Sequence, residues 1–392
     1  MNIAFCYESV LPARGGCETY ITDLARRLCA DGHEVHIYAC AIDSTALPVE
    51  VHFHQLEVPR GPRFLRPWRF GSACERALRD AKHDVTIGFD KTWDQDVLYP
   101  QGGLHAASAQ HNLNKHRRPW QRHVARALKA LDPAHWSFSL LERKQYLGAQ
   151  QPLVIVNSEM VRNHFYQHYG VPADQVRIVR SSINPDRFHE HDRPRRRADF
   201  RSQWGIRADE VVPAFIAMNY RLKGLEPLLR AVPLVPRDTA FRLLVAGHPK
   251  FTRYQRLAQR LGIADRVSFI GPQRDVQNVY FAADFLVHPT FYDPCSLVAL
   301  EALACGLPVV TTRFNGASEL LHPPRDGYVI DDPHDAKQLA WCLTQLCDSQ
   351  RRSACAVAAR RAAGHWTFEQ HYREMLAVFQ EAALRKRASL AG

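Results

Sequence analysis

The sequence predicts an α/β protein made of two parallel-sheet domains. Three observations carry that expectation. Short apolar runs of strand type alternate with helical patterns along the chain, the order that builds parallel sheets from βαβ units. A charged stretch around Pro194, with Arg195, Arg196 and Arg197 in succession, divides two apolar sets. The segment from Phe285 to Thr312 reads as one complete βαβ unit. Phe285 to His288 is a buried-type strand closed by Pro289, Ser296 to Cys305 are helix formers stopped by Gly306 and Pro308, and Pro308 to Thr311 is the next strand.

Composition bounds the function. With 392 residues, 46% of them hydrophobic, the chain can fill two cores of ordinary size. A net charge of +11 points to anionic partners: a nucleoside diphosphate, an anionic acceptor, a membrane surface or nucleic acid. Ten cysteines without a Cys-x-x-Cys pair, most among apolar neighbours, read as reduced, buried thiols of a cytoplasmic protein. Asn2 to Tyr7 reads as a strand rather than a signal peptide, because no basic segment and long apolar stretch follow. No apolar run approaches the length of a membrane span, so any membrane contact is expected to be peripheral.

Taken in order, Ile3 to Tyr7 is a strand, followed by a loop ending in Gly15 and Gly16. An amphipathic helix from about Cys17 to Ala30 and a strand from Val35 to Ala39 complete β-loop-α-β. The glycine pair lets backbone approach a ligand at a helix start. The loop is too long, and lacks the third glycine, for a dinucleotide-binding turn. Val51 to Val58 and Val85 to Phe89 read as strands, the second leaving through Asp90 and Lys91. His105 follows a glycine pair, in a chain with 20 histidines.

Asn114 to Lys129 carries six Lys/Arg residues and no acid. Val124 and Leu128 give it an apolar edge at helical spacing, continued by Leu131. Lys115, Arg117, Arg118, Trp120, Arg122, Arg126 and Lys129 therefore form a candidate basic amphipathic helix for an anionic lipid surface. An ordinary solvated charged face is the competing reading. Nucleic acid ranks last, for want of a recognised binding motif.

Helices are expected over Ser139 to Ala149 and from about Glu159 to Tyr169, with strands at Leu153 to Val156 and Val176 to Val179. Ser181 to Phe188, then the charged His189 to Arg201, mark the boundary. The domains are thus 1–182, 183–368, and a closing helix over 369–392 that crosses back toward the first domain, with Tyr372, Met375, Leu376 and Phe379 on one face. In the second domain, Val211 to Met218 is a strand whose exit holds Arg221 and Lys223 before Gly224. Cations at a strand exit suit a diphosphate whose charge grows as its sugar departs. Asp293 sits at another strand exit, where open parallel sheets bind ligands. The helix start at Ser296, Leu297 and Val298 suits phosphate. Glu301, flanked by Ala299, Leu300, Ala302 and Leu303, needs a partner, which a ribose diol would supply.

These residues resemble the family-4 retaining glycosyltransferases. Asp293, seven residues, Glu301, then Ala302-Leu-Ala-Cys-Gly306-Leu-Pro308-Val and Thr312 is similar to that family's nucleotide-sugar motif, with Asp293 where Glu is usual. Gly15-Gly16-Cys17-Glu18, His105, the linker Ser181 to Phe188, the Arg221/Lys223-Gly224 pair and Gly271 to Val276 with Arg274 resemble further family segments. The resemblance implies the GT-B architecture, two Rossmann-like domains facing a cleft. Glu301 would hold the nucleotide ribose, Arg274 would lie by the base, and Asp293 and His105 would lie near the transferred sugar. Gly15 and Gly16 would face the donor phosphate and acceptor.

The implied activity is transfer of a hexose, with retention, from a nucleoside-diphosphate sugar of the UDP-glucose type to a glycan or glycolipid acceptor. The branch that glycosylates the heptose of the lipopolysaccharide core is the most similar. No metal or other cofactor is expected beyond the nucleotide sugar as co-substrate. A soluble-acceptor transferase, a nucleotide-sugar epimerase and a non-catalytic anion-binding module are the alternatives.

Overall fold

A computed structural model describes the chain except residues 13–14, 149–150, 184–187, 189–191, 365 and 392, and the side chains of 390 and 391. The chain divides into two compact units. The first comprises Met1–Gln110, His123–Val179 and Tyr372–Gly392; the second comprises His111–Arg122 and Arg180–His371.

The first unit is a seven-stranded parallel sheet. Its strands are β1 (Asn2–Cys6), β2 (Glu34–Ala39), β3 (His52–Gln55), β4 (Val85–Phe89), β5 (Val97–Tyr99), β6 (Leu153–Val156) and β7 (Val176–Ile178). They lie in the order β3-β2-β1-β4-β5-β6-β7. The central strands are apolar on both faces because helices cover both. On one face Ile3, Phe5 and Ile87 pack with Ile21, Leu24 and Leu28 of the helix Gly16–Ala30. Met375 and Phe379 of the helix Phe368–Ala391 join the same core, and the Phe5 and Phe379 rings stand 6.4 Å apart. Burying each such side chain contributes roughly 1.5–3 kcal/mol.

The second unit is a six-stranded parallel sheet of β8 (Pro213–Ala217), β9 (Leu243–Gly247), β10 (Val267–Gly271), β11 (Phe285–His288), β12 (Val309–Thr312) and β13 (Gly327–Ile330). Their order is β10-β9-β8-β11-β12-β13. This is the doubly wound arrangement in which strand order reverses once, between β8 and β11. One core, with Ala299, Leu300 and Leu303, lies on one face; the other, with Leu225, Leu228 and Leu229, lies on the opposite face. The parallel-sheet architecture expected from the strand–helix alternation is the one observed.

Two local expectations need correction. The charged stretch His189 to Arg201 is not simply a polar boundary, since Arg193–Gln203 is a helix of the second unit. Its apolar stripe is thin, and guanidinium groups secure it instead. Arg197 and Arg201 both reach Asp284, at 2.7 and 2.8 Å, and Arg201 also donates to the Ala282 carbonyl at 2.9 Å. Of the predicted linker, Asn184 to Arg187 and His189 to His191 lie outside the described residues, while Ile183 and Phe188 are buried in the second unit's core.

The basic helix also starts later than expected, at Pro119, and runs to Ala130. Proline suits a first helical turn and pushes the preceding residue out of helical conformation. Residues 111–122 belong to the second unit, not the first. His111 stacks on Tyr292 with centroids 5.2 Å apart, and His334 bonds the Asn114 carbonyl at 2.7 Å. Among the described residues no helix is long and apolar enough to cross a membrane.

Candidate active site

Arg221, Lys223 and Asp293 gather at the carboxyl ends of β8 and β11, where the second sheet's strand order reverses. A tight turn presents the two cations. The Asn219 side chain accepts from Leu222 N at 3.1 Å, and Lys223 N donates to the Asn219 carbonyl at 3.0 Å. Gly224 closes the turn at φ +84°, and a Cβ there would lie 2.0 Å from the Pro289 carbonyl oxygen. Only glycine allows this crossing of two strand exits.

Lys223 Nζ donates to Asp293 Oδ2 at 2.6 Å and to the Tyr292 carbonyl at 3.2 Å. His288 Nε2 lies 3.3 Å from the same carboxylate oxygen, and its buried Nδ1 has no partner among the described residues. Burial alone would raise the Asp293 carboxyl, but Lys223 and His288 outweigh it and hold it well below the usual carboxylate range. Burial pushes His288 below its ordinary value, against the opposing pull of Asp293. Asp293 is therefore an anion and His288 a neutral ring at neutral pH. Arg221, on the exposed side, reaches His116 Nδ1 at 3.1 Å.

Ser296 caps the helix Leu297–Ala304. Its N–H donates to Asn315 Oδ1 at 3.1 Å, an oxygen that also accepts from Ala317 N at 3.1 Å. Leu297 and Val298 occupy the first turn, whose N–H groups have no partner within the helix. Glu301, half-buried, accepts from the Tyr280 hydroxyl at 2.6 Å. The partner that its apolar neighbours demanded is thus at least partly supplied from within the chain. Arg274 is exposed in the loop after β10.

Gly15, Gly16 and His105 belong to the first unit. Gly15 is extended, at φ 174°, so its torsion does not require glycine, although a Cβ would come within 3.1 Å of Glu18 Oε2. His105 opens the helix His105–His111, and its Nε2 lies 2.9 Å from His135 Nδ1. Burial, then the charge of Lys129, pushes the ring down to about 4, so it is neutral at physiological pH. This sheet also reverses order once, between β1 and β4. A cavity of about 690 Å³ opens there, lined by Tyr7, Glu8, Glu18, Asp90, Lys91 and Phe138 among others. Asp90 sits in left-handed conformation at φ +67°, and burial raises its carboxyl.

Of the basic-helix residues, Arg117, Arg118, Trp120 and Arg126 are exposed. Lys115 donates to Asn112 Oδ1 at 2.9 Å and Arg122 to the His116 carbonyl at 2.7 Å. Burial lowers the Lys129 ammonium. Sequence reasoning missed His116, His288, Tyr280 and Asn315. His288 alone left a sequence signal, as a polar residue ending an apolar strand.

The comparisons with known proteins agree with this architecture. Residues 196–362 match the family described as Glycosyl transferases group 1, and residues 14–187 match Glycosyltransferase Family 4. The chain belongs to the GT-B glycosyltransferases that combine these two modules. Among relatives, it is 30% identical to the D-inositol 3-phosphate glycosyltransferase of Corynebacterium diphtheriae, over 94% of this chain and 90% of that one. It is 25% identical to the lipopolysaccharide glucosyltransferase WaaG of Escherichia coli (strain K12), over 93% and 94%. Among solved structures, a WaaG described as involved in lipopolysaccharide biosynthesis superposes with a TM-score of 0.78 at 24% identity, covering 96% of this chain and 98% of that one. Anabaena HepE in complex with UDP-glucose gives 0.67 at 18%, covering 98% and 99%.

Proposed function

We propose that this glycosyltransferase moves a hexose, with retention of anomeric configuration, from a UDP-glucose-type donor to a glycan or glycolipid acceptor of the lipopolysaccharide-core kind. The observation that carries the reading is the Lys223–Asp293 pair, with Arg221 two residues before Lys223 in the same turn, at the strand-order reversal of the second sheet. Doubly wound sheets bind nucleotides at that position.

In this reading the diphosphate lies against Arg221, Lys223 and the N–H groups of Ser296, Leu297 and Val298, which take up the charge that develops as the sugar leaves. These fixed cations supply what a divalent metal supplies elsewhere, so the reaction needs none. Glu301 accepts from the ribose hydroxyls, and Arg274 lies beside the base. Asp293, kept anionic, faces the sugar. The acceptor hydroxyl attacks on the face the phosphate leaves, and a departing phosphate oxygen takes its proton. Gly15, Gly16 and His105 serve the acceptor and the transferred sugar. As a neutral ring, His105 donates or accepts a hydrogen bond without adding charge.

The acceptor has a second reading, favoured by the Corynebacterium diphtheriae relative: a small polyol phosphate, its phosphate against Lys91 and Arg63 and its hydroxyls against the carboxylates Glu18 and Asp90 that line the same cavity. Incubation with UDP-glucose and, in parallel, a heptose-terminated core oligosaccharide and inositol phosphate, read by mass spectrometry and anomeric NMR, tests both. An α-linked product from an α-donor supports retention; inversion, or turnover without acceptor, refutes the transferase assignment proposed here.

We further propose that the enzyme works in the cytoplasm on the membrane surface. Support comes from the exposed row Trp120, Val124 and Leu128 beside Arg117, Arg118 and Arg126, and from ten cysteines outside any disulfide, six of them buried. Binding to liposomes that rises with anionic lipid and weakens with salt is the expected result. Salt-independent binding, or none, contradicts it.

A further inference from the structure

One edge of the first sheet gathers imidazoles. β2 and β3 run parallel with His36 opposite His52 and Tyr38 opposite His54. Residues two apart on a strand share a face, so Glu34, His36, Tyr38, His52 and His54 project together. The His36 ring stacks on His52 at 4.7 Å and on His54 at 5.2 Å. Such a pile is of little use to the apolar core, and its polar atoms converge rather than turn away from one another.

Three of those atoms have the geometry of an ion site. Glu34 Oε1 lies 3.0 Å from His36 Nε2 and 3.7 Å from His52 Nε2, and all three ligand atoms fall within 4.8 Å of one another. Ligands bound near 2.1 Å to a tetrahedral ion stand roughly 3.4 Å apart, and the stacked His36 and His52 rings must turn out of their near-parallel arrangement for both Nε2 lone pairs to meet one ion. The other nitrogen of His36 is already committed, with Nδ1 2.9 Å from His54 Nε2. A metal on Nε2 places the ring proton on Nδ1, where it donates to His54, the outer partner that orients a ligating imidazole. The Glu34 and His52 side chains are about half exposed, leaving water access to a fourth position.

We propose that Glu34, His36 and His52 form a surface site for a divalent transition-metal ion of the zinc class. Two imidazoles select such ions over magnesium or calcium, which prefer all-oxygen ligands. The role is structural. Glu34 begins β2, so the site lies toward the amino ends of the strands, away from the carboxyl ends where this sheet opens its cavity. β3 is one of the sheet's two edge strands and only four residues long. An ion shared between β2 and β3 clasps that edge. Sequence spacing does not reveal the set, because strand pairing brings His52 to Glu34 and His36.

The test is calorimetric titration of the chelator-stripped full chain with Zn²⁺, with Mg²⁺ as the control ion. Hydrogen exchange at residues 52–55 is followed in parallel. The expected result is uptake of about one Zn²⁺ per chain and slower exchange in β3. Affinity should fall about ten- to a hundredfold in His54→Ala, as for loss of an outer partner, and further in the double variant Glu34→Gln/His52→Ala. Both substituted ligands are surface side chains, and circular dichroism of the variant confirms that it folds. Failure of the wild type to take up Zn²⁺, or uptake unchanged in the double variant, overturns the assignment.

Discussion

Lys223 and Asp293 stand 2.6 Å apart across the exits of two neighbouring strands, 70 residues separated in sequence. The pair is mostly buried, and His288 touches the same carboxylate oxygen. Removing one partner strands the other. Asp293→Asn is expected to destabilise the fold by up to about 3 kcal/mol, toward the range for a broken buried pair, and Asp293→Asn/Lys223→Met by less than the sum of its single changes. Urea melts of the four proteins measure this; strict additivity contradicts the coupling.

Arg221, which is exposed, is expected to act on turnover more than on folding, whereas Lys223, paired with Asp293, acts on both. Replacing either with alanine should lower kcat by roughly two to three orders of magnitude, the effect of losing one preorganised charge on a developing anion. Steady-state kinetics with the donor saturating reads it, and wild-type rates in both variants contradict the roles assigned.

Gly224→Ala tests the turn that presents those cations. Its φ of +84° is strained for alanine, and the new Cβ meets the Pro289 carbonyl at 2.0 Å. A loss of roughly 1–3 kcal/mol is expected from the backbone strain, with turnover falling because Lys223 moves. Unchanged melting and activity contradict the geometry.

Stability should also depend on pH through a buried histidine. His371 Nδ1 is 2.7 Å from the Arg180 carbonyl, and burial pushes the ring down to about 4 from the ordinary 6.5. Its folded-state value is depressed, so its stabilising contribution is complete above about 6.5 and is lost as pH falls toward 4. The loss between pH 7 and 5 is on the order of 2 kcal/mol. Denaturant melts at both values, with His371→Gln reducing the difference by about that amount, check it; a slope untouched by that substitution contradicts it.

The two sheets were legible because their central strands are continuous apolar runs bounded by glycine and proline, as at Phe285 to His288. The placement of Arg221, Lys223 and Asp293 at strand exits was legible because strand ends follow from those runs. What escaped depends on partners from elsewhere in the chain. Arg193–Gln203 reads as a solvated linker until Asp284 gathers Arg197 and Arg201. His116 reads as part of a basic surface until it meets Arg221. The short polar side chain of Asn315 gives no hint in sequence that it pins the helix start at Ser296.

The diphosphate of the donor is proposed to lie against Arg221 and Lys223 with its ribose on Glu301. Calorimetric binding of UDP to the wild type and to Lys223→Ala and Glu301→Ala tests it most directly. Binding by the wild type and at least about tenfold weaker binding in each variant, a loss of about 1.4 kcal/mol or more, is the expected result. Equal affinity in all three proteins, or no binding by the wild type, would contradict it.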